Sequence, residues 1–183
     1  HSGIDMLRGQ ITESFFTKLS ANKAPFGGRH WPGEVIFHYH VQLGQTTLAS
    51  ADGRRADEPL ADSAGPSQGT DRQGLAGILH SMKQIPCTTA AYPNTCCCLN
   101  LKFDLHFWQR ARDQLTLILR TFMQTGFQLQ INVLNADELA DALIHPENHR
   151  SLVVRVGGYS AYFTALDPAI QRDIIARTTQ VSF

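Results

Sequence analysis

The stretch Phe127-Gln128-Leu129-Gln130-Ile131-Asn132-Val133-Leu134-Asn135-Ala136-Asp137-Glu138 decides the fold class. Phe127, Leu129, Ile131 and Val133 alternate strictly with Gln128, Gln130 and Asn132, which is the period of a strand with one amide-rich face. Asn135 follows as an N-cap with Glu138 three places on, close to a capping box, so a helix runs from Ala136 to Ile144 and stops before Pro146. Ser151 to Val156 then reads as a second strand and Gly157-Gly158 as a loop. Asp167-Pro168 supplies the N-cap and first turn of a last helix whose Ile170 and Ile174 face inward. Strand and helix alternate, which predicts an α/β arrangement.

Upstream the alternation continues. Trp108, Ala111, Leu115, Ile118, Leu119 and Phe122 mark one long amphipathic helix that Gly126 can end. Leu99 to Phe103 reads as a short strand, and Leu75, Ile78, Leu79, Met82 and Ile85 as a helix reaching Pro86. From Glu34 to Gln42, Val35, Phe37, Tyr39 and Val41 alternate with Ile36, His38 and His40, predicting a strand covered on both faces. Ile4, Leu7, Ile11, Phe15 and Leu19 put one apolar face on a first helix that ends near Ala21, before Pro25 and Gly27-Gly28. Between these lies Ala49 to Gly74, nearly devoid of large apolar residues and rich in turn formers. Composition leaves it open between a linker and a functional loop.

The 183 residues suffice for one domain or one part of a larger fold. Lysine plus arginine and aspartate plus glutamate number 16 each, so the formal net charge is zero. That balance argues against a nucleic-acid partner or a polybasic membrane surface. Hydrophobic residues make up 43 % of the chain with no apolar run of membrane-spanning length, which predicts no membrane partner. Four clustered cysteines, Cys87, Cys96, Cys97 and Cys98, do not make a disulfide framework, and point to a reducing, cytoplasmic setting. The chain begins at His1 with no signal-like segment, which leaves open an excised fragment.

Several constellations bear on chemistry. His38 and His40, two apart on a strand, share a face and could grip one metal, but no third or fourth ligand is spaced to join them. Hydrogen-bonded, half-buried histidines are the plain reading, and no metal site is expected. Cys96 and Cys98 share a face, with small buried hydrophobes as the plain reading and a reactive thiol as the alternative. The run Gly65-Pro66-Ser67-Gln68-Gly69-Thr70-Asp71-Arg72-Gln73-Gly74 lacks the lysine of a phosphate loop, and no GxSxG announces a hydrolase triad.

The informative text is Arg155-Val156-Gly157-Gly158-Tyr159-Ser160-Ala161-Tyr162-Phe163, followed by Ile174-Ile175-Ala176-Arg177-Thr178. From the residues alone, two glycines between strand and helix allow positive φ or close backbone approach. The words RVGGYSAYF and IIART closely resemble the glycyl radical motif, usually written RVSGY, at the C-terminus of glycyl radical enzymes. Asn132-Val133-Leu134 and His145-Pro146-Glu147 resemble the family's NVL and HPE text. Asp52-Gly53-Arg54-Arg55, Pro59-Leu60-Ala61-Asp62, Gly65-Pro66-Ser67-Gln68-Gly69 and Leu99-Asn100-Leu101-Lys102-Phe103 resemble text of its dehydratase and decarboxylase-like branch. GYSAYF and PLAD are less like pyruvate formate-lyase, whose motif usually continues GYAVRF. The resemblance covers about Gly27 to Arg177, and it makes residues 49–74 an ordered loop of an enzyme body.

The resemblance implies the C-terminal part of a ten-stranded α/β barrel, with residues 1–126 in the barrel body and 127–183 as the glycyl radical domain. It implies a radical at Gly158, within a loop motif formed by Arg155, Val156, Gly157 and Tyr159. Gly157 stands where the family usually has serine, so Gly157→Ser is expected to spare both the radical and the backbone cut that air makes at it. No cofactor is expected on this chain. The radical would be installed by an iron-sulfur, S-adenosylmethionine-dependent activating enzyme and passed to a thiyl cysteine. That cysteine belongs to a GCxE-like motif absent here, so the chain is expected to be the radical-storing portion of a lyase-type enzyme. Its partners would be the activating enzyme, the remainder of the enzyme, and in a homo-oligomer a second copy. A stand-alone replacement subunit that docks on a damaged or split enzyme is the alternative, and an inert scaffold descended from the family a third.

Overall fold

Residues 2–86, 96–125, 128–177 and 179–180 are described in a computed structural model; Cys87, Gly126, Phe127 and Thr178 of the sequence reading lie outside them. Strand β2, Cys96–Asp104, is buried along almost its whole length, as expected of a parallel strand covered on both faces. It pairs in parallel with β3, Gln128–Leu134, over seven residues from Cys98↔Gln128 to Asp104↔Leu134. β1, Gly33–Glu34, joins its first two residues, and β6, Thr179–Gln180, joins Lys102 and Phe103. The sheet therefore gathers strands from both ends and the middle of the chain. A separate antiparallel pair, β4 (Val153–Arg155) and β5 (Ser160–Tyr162), forms a hairpin that the sequence reading treated only as strand and loop.

Helix α1 spans Ser2–Ala21, as predicted, and α3 Gly74–Met82, ending before the expected Ile85, which lies in the bend that follows. The apolar stripe read on α1 is not buried here. Ile4, Leu7, Ile11 and Phe15 are exposed, whereas Phe16 and Thr12 pack inward. The expected long helix is two, α4 (Leu105–Arg110) and α5 (Arg112–Thr125), split at Ala111 with φ −101° and ψ 29°. Asp104 caps the first, accepting from the Phe107 N–H at 2.9 Å. The break brings Phe107 and the stripe Leu115, Ile118 and Phe122 into one apolar cluster with Leu99, Leu101 and Phe103.

The strand expected over 34–42 is not formed beyond Glu34. Phe37 adopts φ 56°, a left-handed turn no strand can contain, and Tyr39–Gln45 is helix α2. Tertiary contacts override the alternation: His40 is drawn into the interior, and Gly44 lies against the Glu58–Pro59 backbone so closely that a Cβ would sit 2.3 Å from the Glu58 carbonyl. Residues 49–73 are turns and bends without a helix or strand, yet they are anchored. The Ala64 N–H donates to the Cys98 carbonyl at 3.0 Å, and Ala64 is fully buried.

Downstream, Asn135 caps α6 (Ala136–Ile144) by accepting from the Asp137 N–H at 2.9 Å, and Asp167 caps α7 (Pro168–Ala176) through the Ala169 N–H at 2.7 Å. These helices and the hairpin bury a second cluster of Leu139, Val154, Val156, Phe163, Ile170 and Ile174. Among the described residues no helix is long and apolar enough to cross a membrane. Because Phe163 is fully buried there, Phe163→Ala is expected to cost about 3–5 kcal/mol in chemical denaturation, whereas Ile144→Ser, at an exposed position, should change stability by less than about 0.5 kcal/mol.

Candidate functional site: a glycine turn held on a buried polar network

The two glycines form the turn of the β4–β5 hairpin, closed by Val156 N–H donating to the Tyr159 carbonyl at 3.0 Å. Gly158 has φ +91°, a conformation that side chains disfavour. Gly157 is required by a different constraint. A Cβ at 157 would lie 2.4 Å from the Phe37 carbonyl oxygen and 2.8 Å from its Cα, so Phe37 backbone fills the space a side chain would take. A serine at 157 would therefore require the Phe37 backbone to shift. At Gly158 a Cβ would meet the Phe37 ring at 2.9 and 3.2 Å.

The amide-rich face of β3 holds this hairpin. Asn132 donates from Nδ2 to the Arg155 carbonyl at 2.8 Å and accepts from the Arg155 N–H at 2.7 Å, gripping the backbone of one residue at both of its polar groups. The Arg155 guanidinium reaches Ser160 Oγ at 3.0 Å. Val156 is fully buried. The Tyr159 hydroxyl meets His38 Nδ1 at 3.1 Å, and the His38 ring stacks on Tyr39.

Behind the turn lies a buried charge network. His40 Nε2 and Asp173 Oδ2 are 3.0 Å apart, both side chains almost completely buried. Gln68 donates to the other Asp173 oxygen at 2.7 Å. Arg177 pairs with Asp173 at 3.0 Å and with Asp62 at 3.2 Å, and its Nη1 donates to the Val156 carbonyl at 3.4 Å. Asn100 donates to Asp62 at 2.8 Å. Burial by itself would raise the Asp173 pKa, but the hydrogen bond from His40 and the Arg177 charge outweigh it and hold the carboxyl below its ordinary range. Lys102 donates to the Ile174 and Ile175 carbonyls at the end of α7, and burial, aided by the Arg177 charge, lowers its pKa to about 8.

His38 and His40 do not share a face, because the predicted strand is a turn and a helix: one meets Tyr159 and the other Asp173. Among the described residues no group of three or more His, Cys, Asp or Glu side chains could hold a metal. Cys98 is buried and accepts from Gln130 at 3.3 Å; burial, then the nearby Asp62 charge, pushes its thiol up to about 11. It stays protonated at neutral pH, which speaks against the reactive-thiol alternative at this position. Cys96 is exposed, and Cys97 is disulfide-bonded, so the cysteine run is not simply a set of small hydrophobes. Asp173 went unread, although a signal was present: on α7 it lies between Ile170 and Ile174 on the inward stripe, where an isolated acid needs buried partners.

The molecule so described is a mixed α/β assembly that presents a glycine turn on a buried polar platform. A family model described as "Glycine radical" matches residues 60–164, and the chain belongs to that family. It is 41 % identical over 185 residues to "Probable dehydratase YbiW" of Escherichia coli (strain K12), covering 96 % of this chain and 22 % of that protein. Among solved structures, the glycerol-bound B12-independent glycerol dehydratase from Clostridium butyricum superposes with TM-score 0.91 at 33 % identity, over all of this chain and 23 % of that one. A glycyl radical enzyme from Archaeoglobus fulgidus superposes with TM-score 0.85 at 27 % identity, over 94 % of this chain and 22 % of that one. The chain thus spans less than a quarter of the length of these relatives, and its fold matches the C-terminal part of glycyl radical enzymes.

Two predictions follow from this geometry. Gly157→Ser should destabilise the protein by about 1–3 kcal/mol, since the Phe37 backbone must shift, read as a lower denaturation midpoint. Below about pH 8 Lys102 is charged in both folded and unfolded states, and burial weighs against the folded one. Between about 8 and the ordinary lysine value near 10.4 only the unfolded chain holds that proton, so Lys102 makes stability rise with pH there. Cys98, with its raised pKa, acts in the opposite sense over an overlapping range. The stability of the unaltered protein relative to Lys102→Met should therefore climb from pH 8 to 10, measured by urea denaturation.

Proposed function

We propose that this chain is the radical-storing C-terminal portion of a lyase-type glycyl radical enzyme, with the unpaired electron at the α-carbon of Gly158. The observation that carries this reading is the Gly158 turn at φ +91° in a chain of this family, seated on Asn132 and Arg177 through the backbone of Arg155 and Val156 just before it. A radical at a glycine α-carbon lies between an electron-donating amide nitrogen and a withdrawing carbonyl, and without a side chain the centre can flatten and delocalise. Arg155, Val156, Gly157 and Tyr159 form the surrounding motif. Hydrogen-atom abstraction leaves Gly158 with one unpaired electron. When that carbon later takes a hydrogen atom from a cysteine thiol outside this chain, the electron deficiency passes to sulfur as a thiyl radical, which attacks substrate.

A dehydratase reaction is favoured by the likeness to relatives described as dehydratases. The partners are an iron-sulfur, S-adenosylmethionine-dependent activating enzyme and the remainder of a ten-stranded barrel, in a cytoplasmic, anaerobic setting, with homo-oligomers allowed. A division into body, 1–126, and radical domain, 127–183, matches the two apolar clusters, one built mainly from residues 64–122 and one from 134–174, except that β3 joins the sheet of the body and packs Leu129, Ile131 and Val133 against the first cluster. The exposed stripe Ile4, Leu7, Ile11 and Phe15 on α1 supports burial against the rest of the barrel. That stripe, together with coverage of only 22–23 % of relatives, favours a portion of a larger enzyme over a replacement subunit.

Anaerobic activation should give an electron spin resonance doublet, and exposure to air should then cut the backbone at Gly158. Gly158→Ala adds a Cβ that hinders planarity, and should abolish both the doublet and the cut. A doublet retained in Gly158→Ala, or a cut mapped by mass spectrometry to Gly157, would overturn the residue assignment.

A further inference from the structure

The turn between β1 and α2 takes no part in the sheet, yet it touches each of the three central residues of the glycine loop. The Phe37 backbone lies against Gly157 and the Phe37 ring against Gly158, while His38 Nδ1 meets the Tyr159 hydroxyl at 3.1 Å with the rings edge to face. Phe37 is held at φ 56°, an unfavourable conformation for a bulky residue that persists only where surrounding contacts fix it. The residue is also 48 % exposed, so burial in a core does not account for its position. The Ser63 hydroxyl accepts from the Ile36 N–H at 3.2 Å, and the Tyr39 N–H donates to the Ile36 carbonyl at 3.1 Å, tying both sides of the turn.

We propose that Phe37 and His38 are positioning residues that act as a clasp on the radical loop: the Phe37 ring covers one face of the Gly158 α-carbon, and His38 fixes Tyr159. This inference rests on the reading of Gly158 as the radical site. The ring edge occupies the approach that a Cβ, an abstracting group or dioxygen would use on that side, so it limits access to the α-carbon. The Tyr159–His38 hydrogen bond keeps the turn from swinging away from the ring. Neither residue exchanges a hydrogen atom; both act through the placement of Gly158.

The test uses the full-length protein that carries this chain. Hydrogen exchange over residues 156–160, measured by mass spectrometry before activation, should quicken about fivefold in Phe37→Ala, the effect of losing one modest contact. Phe37→Tyr, which keeps the ring, should restore the slow rate. His38→Phe and Tyr159→Phe should each quicken exchange, and the double variant no more than either alone, because one bond is lost in all three. After activation the radical doublet should decay faster in air in Phe37→Ala than in the unaltered protein. Unchanged exchange in Phe37→Ala, or additive effects of His38→Phe and Tyr159→Phe, overturns the clasp. Should Phe37→Ala fail to fold, the His38 and Tyr159 cycle decides alone. Absence of a doublet in the unaltered protein overturns the radical reading, and exchange still judges the clasp.

Discussion

One buried carboxylate ties three distant segments together. Asp173, on the last helix, receives hydrogen bonds from His40 of α2, Gln68 of the irregular loop and Arg177 one turn further on. A charge this deep persists only when each lone pair has a partner, since an unpaired buried charge costs several kcal/mol. The requirement therefore acts on the partners too: α2 must bring its histidine inward, and the 49–74 loop must present Gln68. Arg177 carries the constraint forward to Asp62 and to the Val156 carbonyl. The glycine turn sits at the end of that chain of obligations, not on a free-standing hairpin.

The same arrangement explains why backbone groups dominate the loop. Asn132 reads the N–H and carbonyl of Arg155 rather than its side chain, Arg177 grips a carbonyl, and the Phe37 backbone fills the place of a Cβ at 157. An arrangement of this kind holds a glycine firmly while leaving its α-carbon unsubstituted. The motif arginine, Arg155, contributes chiefly through its own N–H and carbonyl, and its guanidinium stays within the hairpin on Ser160. Gly157 and Gly158 are accordingly glycines for different reasons, one for space and one for conformation.

The unburied side of the molecule has a consistent physical character. α1 turns its apolar stripe outward, and Leu117, Met123 and Ile144 are also exposed. Surfaces of this composition are ordinarily covered, and a sheet whose central strand is entirely parallel ordinarily has layers on both faces. Both features fit a chain that spans less than a quarter of its relatives.

Much was legible in the sequence where local physics and tertiary demands agree. The strand at 128–134, the caps at Asn135 and Asp167, α1, α3 and the glycine turn follow from periodicity and capping, which act over a few residues, and the radical-family text lay in short contiguous words. Other features depend on residues far apart in the chain. The alternation of 34–42 gave way to a left-handed turn and a helix because Gly157 and Asp173, more than a hundred residues away, needed a backbone and a histidine there. The outward stripe of α1 carries the right period but not its partner, which no local pattern can supply. The sequence by itself determined the helices α1, α3, α6 and α7, the strand at 128–134 and that a glycine pair would serve as a special turn. Only the tertiary structure decided that Phe37 lies on that turn, that His40 answers Asp173, and that serine has no room at 157, because close approach and buried-charge pairing are set by packing between distant segments.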